Sequence, residues 1–253
     1  MKNVLLQGRK VSKVFVSGQV RNQVLKQVDV DIYDQDFTVI MGSSGAGKST
    51  LLYALSGMDV ISGGEVEYEG KQISRLKEKQ MAKLRAEEFG FVFQQTNLVS
   101  NLTLFENVAV AGFVSKKGST EEIRKRASIL LTQMGVEKAE ARLPSQVSGG
   151  EAQRAAIARA MIGNPGLLFA DEPTGALNKS HTDEVLSLLT SLNHSGQSIL
   201  MVTHDLRAAI RGNRILYLED GKILDELTLP KYEFSEERLR EDKLREWLSK
   251  LQW

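Results

Sequence analysis

Phe37-Thr38-Val39-Ile40-Met41-Gly42-Ser43-Ser44-Gly45-Ala46-Gly47-Lys48-Ser49-Thr50 is the stretch on which the fold turns. Phe37 to Met41 is a short apolar run, β-branched at its centre, and reads as a buried strand. Gly42 to Ser49 fits the G-x-x-x-x-G-K-[ST] phosphate loop. Lys48 to Ser56 then reads as a helix, with Leu51, Leu52 and Leu55 on one side. Glycines let the backbone curl into regions that Cβ atoms forbid, which turns consecutive N–H groups toward phosphate oxygens. The following helix adds its positive end. In such a loop Lys48 reaches the β- and γ-phosphates, and the Ser49 hydroxyl ligates Mg²⁺.

Outward from the loop, Val28 to Ile32 alternates with period 2 and reads as a half-exposed strand, and Gly63-Gly64 opens a second alternating stretch to Glu69. Thr103-Leu104-Phe105-Glu106 and Ser119-Thr120-Glu121-Glu122 fit the [ST]-x-x-[DE] capping pattern, and helices dominate from about Leu102 to Ile162. Strand–helix alternation then resumes. Leu167 to Ala170 reads as a strand, Ser180 to Asn193 as a helix, Ser198 to Thr203 as a strand and Asp205 to Arg211 as a short helix. Ile215 to Leu218 and Lys222 to Leu227 read as hairpin arms around Asp220-Gly221. Alternation on both sides of a helical insert predicts an α/β core with a mostly parallel sheet. The tail from Ser235 to Trp253 reads as a charged helix with Leu244, Trp247, Leu248 and Leu251 at helical spacing. Packing on its own domain and docking onto a partner are both open to it.

The chain of 253 residues is 42% hydrophobic and 26% charged, with a formal charge of +1, so no global field draws it to nucleic acid. It has no cysteine, which excludes disulfides and thiolate metal sites and is compatible with a reducing compartment. No run approaches the ~18 apolar residues that span a bilayer. Met1 to Lys10 carries charges without an apolar signal core behind them. The expectation is a protein neither secreted nor inserted by its own sequence.

Five further motifs carry chemistry. Leu167-Leu168-Phe169-Ala170-Asp171-Glu172 sets two carboxylates at the end of a buried strand, and Pro173 stops the strand there. Asp171 fits the Mg²⁺-holding acid that accompanies a phosphate loop. Ser148-Gly149-Gly150-Glu151, followed by Gln153 and Arg154, places two glycines in the first turn of a helix, where they cost helix stability. Such a start leaves N–H groups and a hydroxyl facing outward. Gln94 and Gln95 follow the apolar run Phe89 to Phe93. His204 stands in Val202-Thr203-His204-Asp205 at the end of a strand, and Phe15 in Val11-Ser12-Lys13-Val14-Phe15.

Together these residues resemble the ATP-binding cassette of ABC transporters over nearly the whole chain. The resemblance implies a P-loop NTPase (RecA-like) core with a small antiparallel β subdomain and an inserted α-helical subdomain at about 95–162. It implies one nucleotide-binding domain over 1–230 and a C-terminal amphipathic helical extension over 231–253. Gly42, Ser43, Ser44, Gly45, Ala46, Gly47, Lys48, Ser49 and Thr50 would bind ATP, with Phe15 stacked on adenine. Ser49, Gln94 and Asp171 would hold Mg²⁺. Glu172 would position or deprotonate the attacking water, aided by Lys48, Gln94 and the switch histidine His204. Ser148, Gly149, Gly150 and Glu151 resemble the signature motif, which meets the γ-phosphate bound to a second copy. The family's commonest form is Leu-Ser-Gly-Gly-Gln, against Val147-Ser148-Gly149-Gly150-Glu151 here, and Asn178 stands where the family usually has aspartate.

The same resemblance implies a homodimer closing on ATP and a separate transmembrane permease that holds the protein at the cytoplasmic face of the membrane. Phe91-Val92-Phe93-Gln94-Gln95, Asp171 to Leu177 and Thr203-His204-Asp205 most resemble the branch of macrolide exporters, lipoprotein-releasing systems and bacitracin-type antimicrobial-peptide resistance transporters. A cell-division-type ATPase that signals through a membrane partner without transport is the alternative. Soluble ABC ATPases of translation or DNA repair differ in carrying two cassettes or a long coiled-coil insert, and a non-hydrolysing sensor would not need Glu172 and His204.

Overall fold

The computed structural model describes residues 2–115, 117–251 and 253. Strands β1 (Val4–Ser17), β2 (Val20–Tyr33) and β3 (Phe37–Met41) lead into helix α1 (Lys48–Leu55). There follow β4 (Gly63–Tyr68), β5 (Lys71–Gln72), α2 (Glu78–Glu88), β6 (Phe89–Phe93), α3 (Leu104–Ser115), α4 (Thr120–Gln133) and α5 (Gly149–Met161). The chain continues with β7 (Leu167–Asp171), α6 (Lys179–His194), β8 (Ser198–Val202), α7 (Leu206–Ala209), β9 (Arg214–Glu219), β10 (Lys222–Thr228) and α8 (Glu237–Lys250). Two compact units result, Met1–Met81 with Asn193–Trp253, and Ala82–Leu192.

In the first unit, β1 pairs antiparallel with β2 and β4, and β4 with β5. Val28, Val30 and Ile32 of β2 are buried while Asp29 is exposed, the alternation of a sheet with one wet face. β1 shows no such period in the sequence because its register shifts at several points between Gly8 and Val14. β3 lies between β8 and β9 and runs parallel to both, and β10 closes the edge antiparallel to β9. Every residue of β3 and β8 is buried, which explains why both read as mainly apolar runs without period-2 alternation. Asp220 and Gly221 turn the β9–β10 hairpin with φ of 46° and 73°, both positive as a type I′ turn requires.

Helix α8 buries Leu244 and Leu248, and Trp247 donates its indole N–H to Asp225 at 2.9 Å. Of the two readings of the tail, the structure shows packing on its own unit. Arg240 anchors it at 2% exposure, donating to the carbonyls of Ile210 (2.8 Å), Gly212 (2.6 Å) and Pro230 (2.8 Å). A buried guanidinium is tolerated when its donors are met in this way.

In the second unit, β6 and β7 are parallel neighbours, with the Phe91 and Phe169 rings stacked at 5.4 Å. Helices α3, α4 and α5 pack on one another. Both expected capping boxes form. Thr103 and Glu106 exchange bonds of 2.8 and 3.1 Å, and Ser119 and Glu122 bonds of 2.7 and 3.3 Å. The sequence offered no sign of α2, which buries only Met81 and so has no apolar stripe to detect.

Candidate functional site

The glycine loop leaves the carboxyl end of β3, and His204 follows the carboxyl end of its parallel neighbour β8. Ligands of open α/β sheets bind at such strand ends. Gly42 has φ 153°, and a Cβ there would stand 1.9 Å from the Leu218 carbonyl oxygen, so only glycine lets the loop pass so close to β9. Gly47, with φ 103°, caps α1 without any side-chain cap bond. Lys48, 8% exposed, lies inside the loop with Nζ 2.9 Å from the Gly42 carbonyl and 2.8 Å from that of Ser43. Hence the loop brings together an uncapped helix start and the Lys48 ammonium, with Ser49 and Thr50 in the first turn of α1, a set of residues that fits a polyphosphate.

Ser43 is held from below. Its hydroxyl lies 2.9 and 3.1 Å from the two carboxylate oxygens of Glu219, which also accepts from the Tyr217 hydroxyl at 3.0 Å. Burial, together with the bond to Glu219, pushes the Tyr217 hydroxyl up to about 12, so it stays a donor at neutral pH. His204 is fixed on a tight turn. The Asp205 N–H donates to the Thr203 hydroxyl at 3.0 Å, and Asp205 caps α7 by accepting from the Arg207 N–H at 2.9 Å. Phe15 is 45% exposed, with the Lys13 ammonium 4.9 Å from its ring centroid. It sits on the β1–β2 hairpin opposite Asn22, close to Val24 and Leu25, which a Cβ on Gly47 would meet at 3.2 Å.

In the second unit the residues after β6 and β7 emerge at one end, with Phe93 opposite Asp171. Glu172 follows Asp171 with φ 47°, a left-handed backbone that non-glycine residues adopt at a cost of ~1–3 kcal/mol. Gly175 donates its N–H to the Glu172 carbonyl at 3.0 Å, and a Cβ on Gly175 would stand 3.0 Å from Nε2 of Gln94. Of the two adjacent glutamines, Gln94 therefore lies against the turn that carries Glu172.

Ser148 is the N-cap of α5 in a full capping box, accepting from the Glu151 N–H at 3.2 Å while Glu151 accepts from the Ser148 N–H at 2.8 Å. The backbone bond from Ser148 holds the Glu151 carboxyl below the usual range, so glutamate at this position serves the cap. A hydroxyl that accepts keeps a proton to donate. Gly150 lies under His181, whose Cγ a Cβ on Gly150 would meet at 2.5 Å. Asn178 accepts from the His181 N–H at 3.0 Å, a helix cap that needs an oxygen but no charge.

Three residues gain roles that the sequence did not suggest. Gln153, 1% exposed, donates to the carbonyls of Phe93 (2.9 Å) and Pro173 (2.8 Å), and so ties α5 to the residues beside Gln94 and Glu172. Glu219 and His181 support the glycine loop and Gly150. Only Gln153 had a visible signal, its place beside the two glycines. Ser49 belongs to the first unit, and Gln94 and Asp171 belong to the second. Among the described residues no group of three or more His, Cys, Asp or Glu side chains could hold a metal ion by itself.

Residues 25–175 match the family described as ABC transporter. The chain is 39% identical over 222 residues to the macrolide export ATP-binding/permease protein MacB of Mannheimia succiniciproducens, and 41% over 223 residues to that of Wolinella succinogenes. Each alignment covers 88% of this chain and 34% of the relative, so the chain spans about a third of the length of these curated relatives. Among solved structures, a dimeric form of the bacterial ABC transporter cassette MJ0796 is similar with a TM-score of 0.84 at 38% identity, covering 90% of this chain and 100% of that one. A dimeric post-hydrolysis state of the same cassette, bound to ADP and Pi, gives 0.83. CbiO1 of Clostridium perfringens, part of the ABC transporter complex CbiONQ, gives 0.80 at 26% identity, covering 96% and 93%.

Proposed function

This chain belongs to the ABC transporter family and is an ATPase, and we propose that it powers a separate membrane permease, two copies closing on ATP and opening after hydrolysis. The observation that carries the reading is the pair of glycine-bearing helix starts in one chain, α1 after Gly47 and α5 after Ser148. One suits the nucleotide of its own copy, and the other suits the γ-phosphate held by its twin. The dimeric cassettes to which the chain is similar support the pairing, and relatives that join an ATP-binding part to a permease support the membrane partner. No helix among the described residues is long and apolar enough to cross a membrane, so the permease would tether the protein at the cytoplasmic face.

In this mechanism Phe15 stacks on adenine and the glycine loop wraps the phosphates. Glu172 orients a water and takes its proton as the water's oxygen attacks the γ-phosphorus in line, and the β–γ bridging bond breaks to leave ADP and phosphate. Lys48, His204 and the partner's signature helix stabilise the charge that spreads over the γ-oxygens. Ser49, Gln94 and Asp171 would supply oxygen ligands for Mg²⁺, which when bound would offset charge on the phosphate oxygens. Loss of the γ-phosphate removes the bridge between copies, and they part. Within the family, antimicrobial-peptide resistance or another mechanical stroke on a permease fits the motifs quoted above best.

The dimer is tested by dilution. Turnover per chain is expected to fall as the protein is diluted below its association range at saturating ATP. Constant specific activity from chains shown to be monomeric would overturn the reading. Phe15→Ala is expected to weaken nucleotide binding by about 1–3 kcal/mol, roughly 5- to 150-fold, with turnover at saturation little changed. Reduced turnover at unchanged affinity, measured by titration and phosphate release, would remove Phe15 from the stacking role.

A further inference from the structure

The glycine loop rests on one hairpin, and the C-terminal helix grips the same hairpin. Three contacts join loop to hairpin within the first unit. Gly42 passes so close to the Leu218 carbonyl that a Cβ would strike it at 1.9 Å, Ser43 bonds Glu219 at 2.9 Å, and the Gly221 N–H donates to the Ala46 carbonyl at 3.2 Å. On the hairpin, Tyr217 and Asp225 are cross-strand partners. Trp247 of α8 straddles that pair, its ring edge-on to Tyr217 at 6.3 Å and its indole N–H bonded to Asp225 at 2.9 Å. Tyr217 in turn holds Glu219 at 3.0 Å, so one side chain of α8 is three contacts from Ser43. Arg240 pins the other end of α8 to the segment that follows α7, a few residues beyond His204.

We propose that α8 is a clamp on the nucleotide loop, so that docking of the C-terminal helix and binding of nucleotide favour one another, with Trp247, Tyr217 and Glu219 as positioning residues. The inference rests on the nucleotide-binding reading given above and assigns regulation to it. Anything that lifts α8, such as a partner competing for its buried face, would loosen residues 42–46 and lower nucleotide affinity. Linkage makes the effect reciprocal, because a ligand that prefers the clamped loop also favours the docked helix.

The test uses the full chain and ADP. In Trp253→Phe, Trp247 is the single indole, and its emission is expected to change with ADP along the same curve as binding measured with a fluorescent ADP analogue. Trp247→Ala is expected to bind ADP about fivefold or more weakly, with turnover at saturation within about twofold of the parent, a split between affinity and rate that simple loss of folded protein does not give. Tyr217→Phe keeps the ring against Trp247 and loses the bond to Glu219, and it is expected to shrink the Trp247 response. ADP bound at unchanged affinity in Trp247→Ala, or a Trp247 signal that stays silent while ADP binds, overturns the clamp alone. A parent chain that binds no nucleotide overturns the function reading and the clamp together.

Discussion

Replacing Glu172 by Gln is expected to lower turnover by about 10²–10⁴-fold, to leave ATP binding intact and to trap a closed dimer. Glutamine keeps the length, shape and hydrogen-bonding reach of the side chain but cannot take a proton from water. The backbone around it should not move. Its left-handed φ of 47° is set by the turn that Gly175 closes onto the Glu172 carbonyl, and Gln153 holds the next carbonyl at 2.8 Å. With the γ-phosphate uncleaved, the two copies keep their shared ligand, so ATP should shift the variant to twice the parent's mass in size exclusion. Phosphate release within about tenfold of the parent would assign water activation elsewhere.

The parts of this molecule that were legible in the sequence are those whose physics is local. Phe37 to Met41 reads correctly because a strand buried on both faces is apolar at nearly every position, Thr38 being the exception, and Gly42 to Ser49 because the curl of the loop needs glycine at fixed spacings. The capping boxes at Thr103 and Ser119 and the Asp220-Gly221 turn are set within four residues of themselves. What stayed hidden was set by distant segments. Register shifts erased the period of β1. Arg240 looks like a surface charge until three carbonyls from other loops surround it. Glu219 under Ser43 and His181 over Gly150 are contacts that no local pattern announces. Asn178 shows the reverse, a departure from the family's aspartate that the structure accounts for by its cap to His181.

Gly150→Ala is expected to cost about 1–3 kcal/mol of stability by overpacking and about 10²-fold in turnover. Helix propensity alone argues the other way, since alanine is better than glycine in a helix by roughly 0.5–1 kcal/mol, so the sign of the change separates the two effects. The new Cβ would stand 2.5 Å from Cγ, 2.6 Å from Cδ2 and 2.9 Å from Cβ of His181. Those atoms lie at the root of the side chain, and Asn178 pins the His181 backbone at 3.0 Å, so rotation of the ring cannot clear them. The first turn of α5 must give instead, carrying Ser148 and its cap with it. A displacement of about 1 Å in a group that meets a transferring phosphate is enough for the expected loss. The double variant Gly150→Ala with His181→Ala removes the obstruction, and thermal melting together with phosphate release should show both stability and turnover recovering beyond the single change. Non-additivity of that kind marks direct contact. A single variant as stable and active as the parent, or a double variant no better than the single, would show that α5 does not depend on the absence of a side chain at position 150.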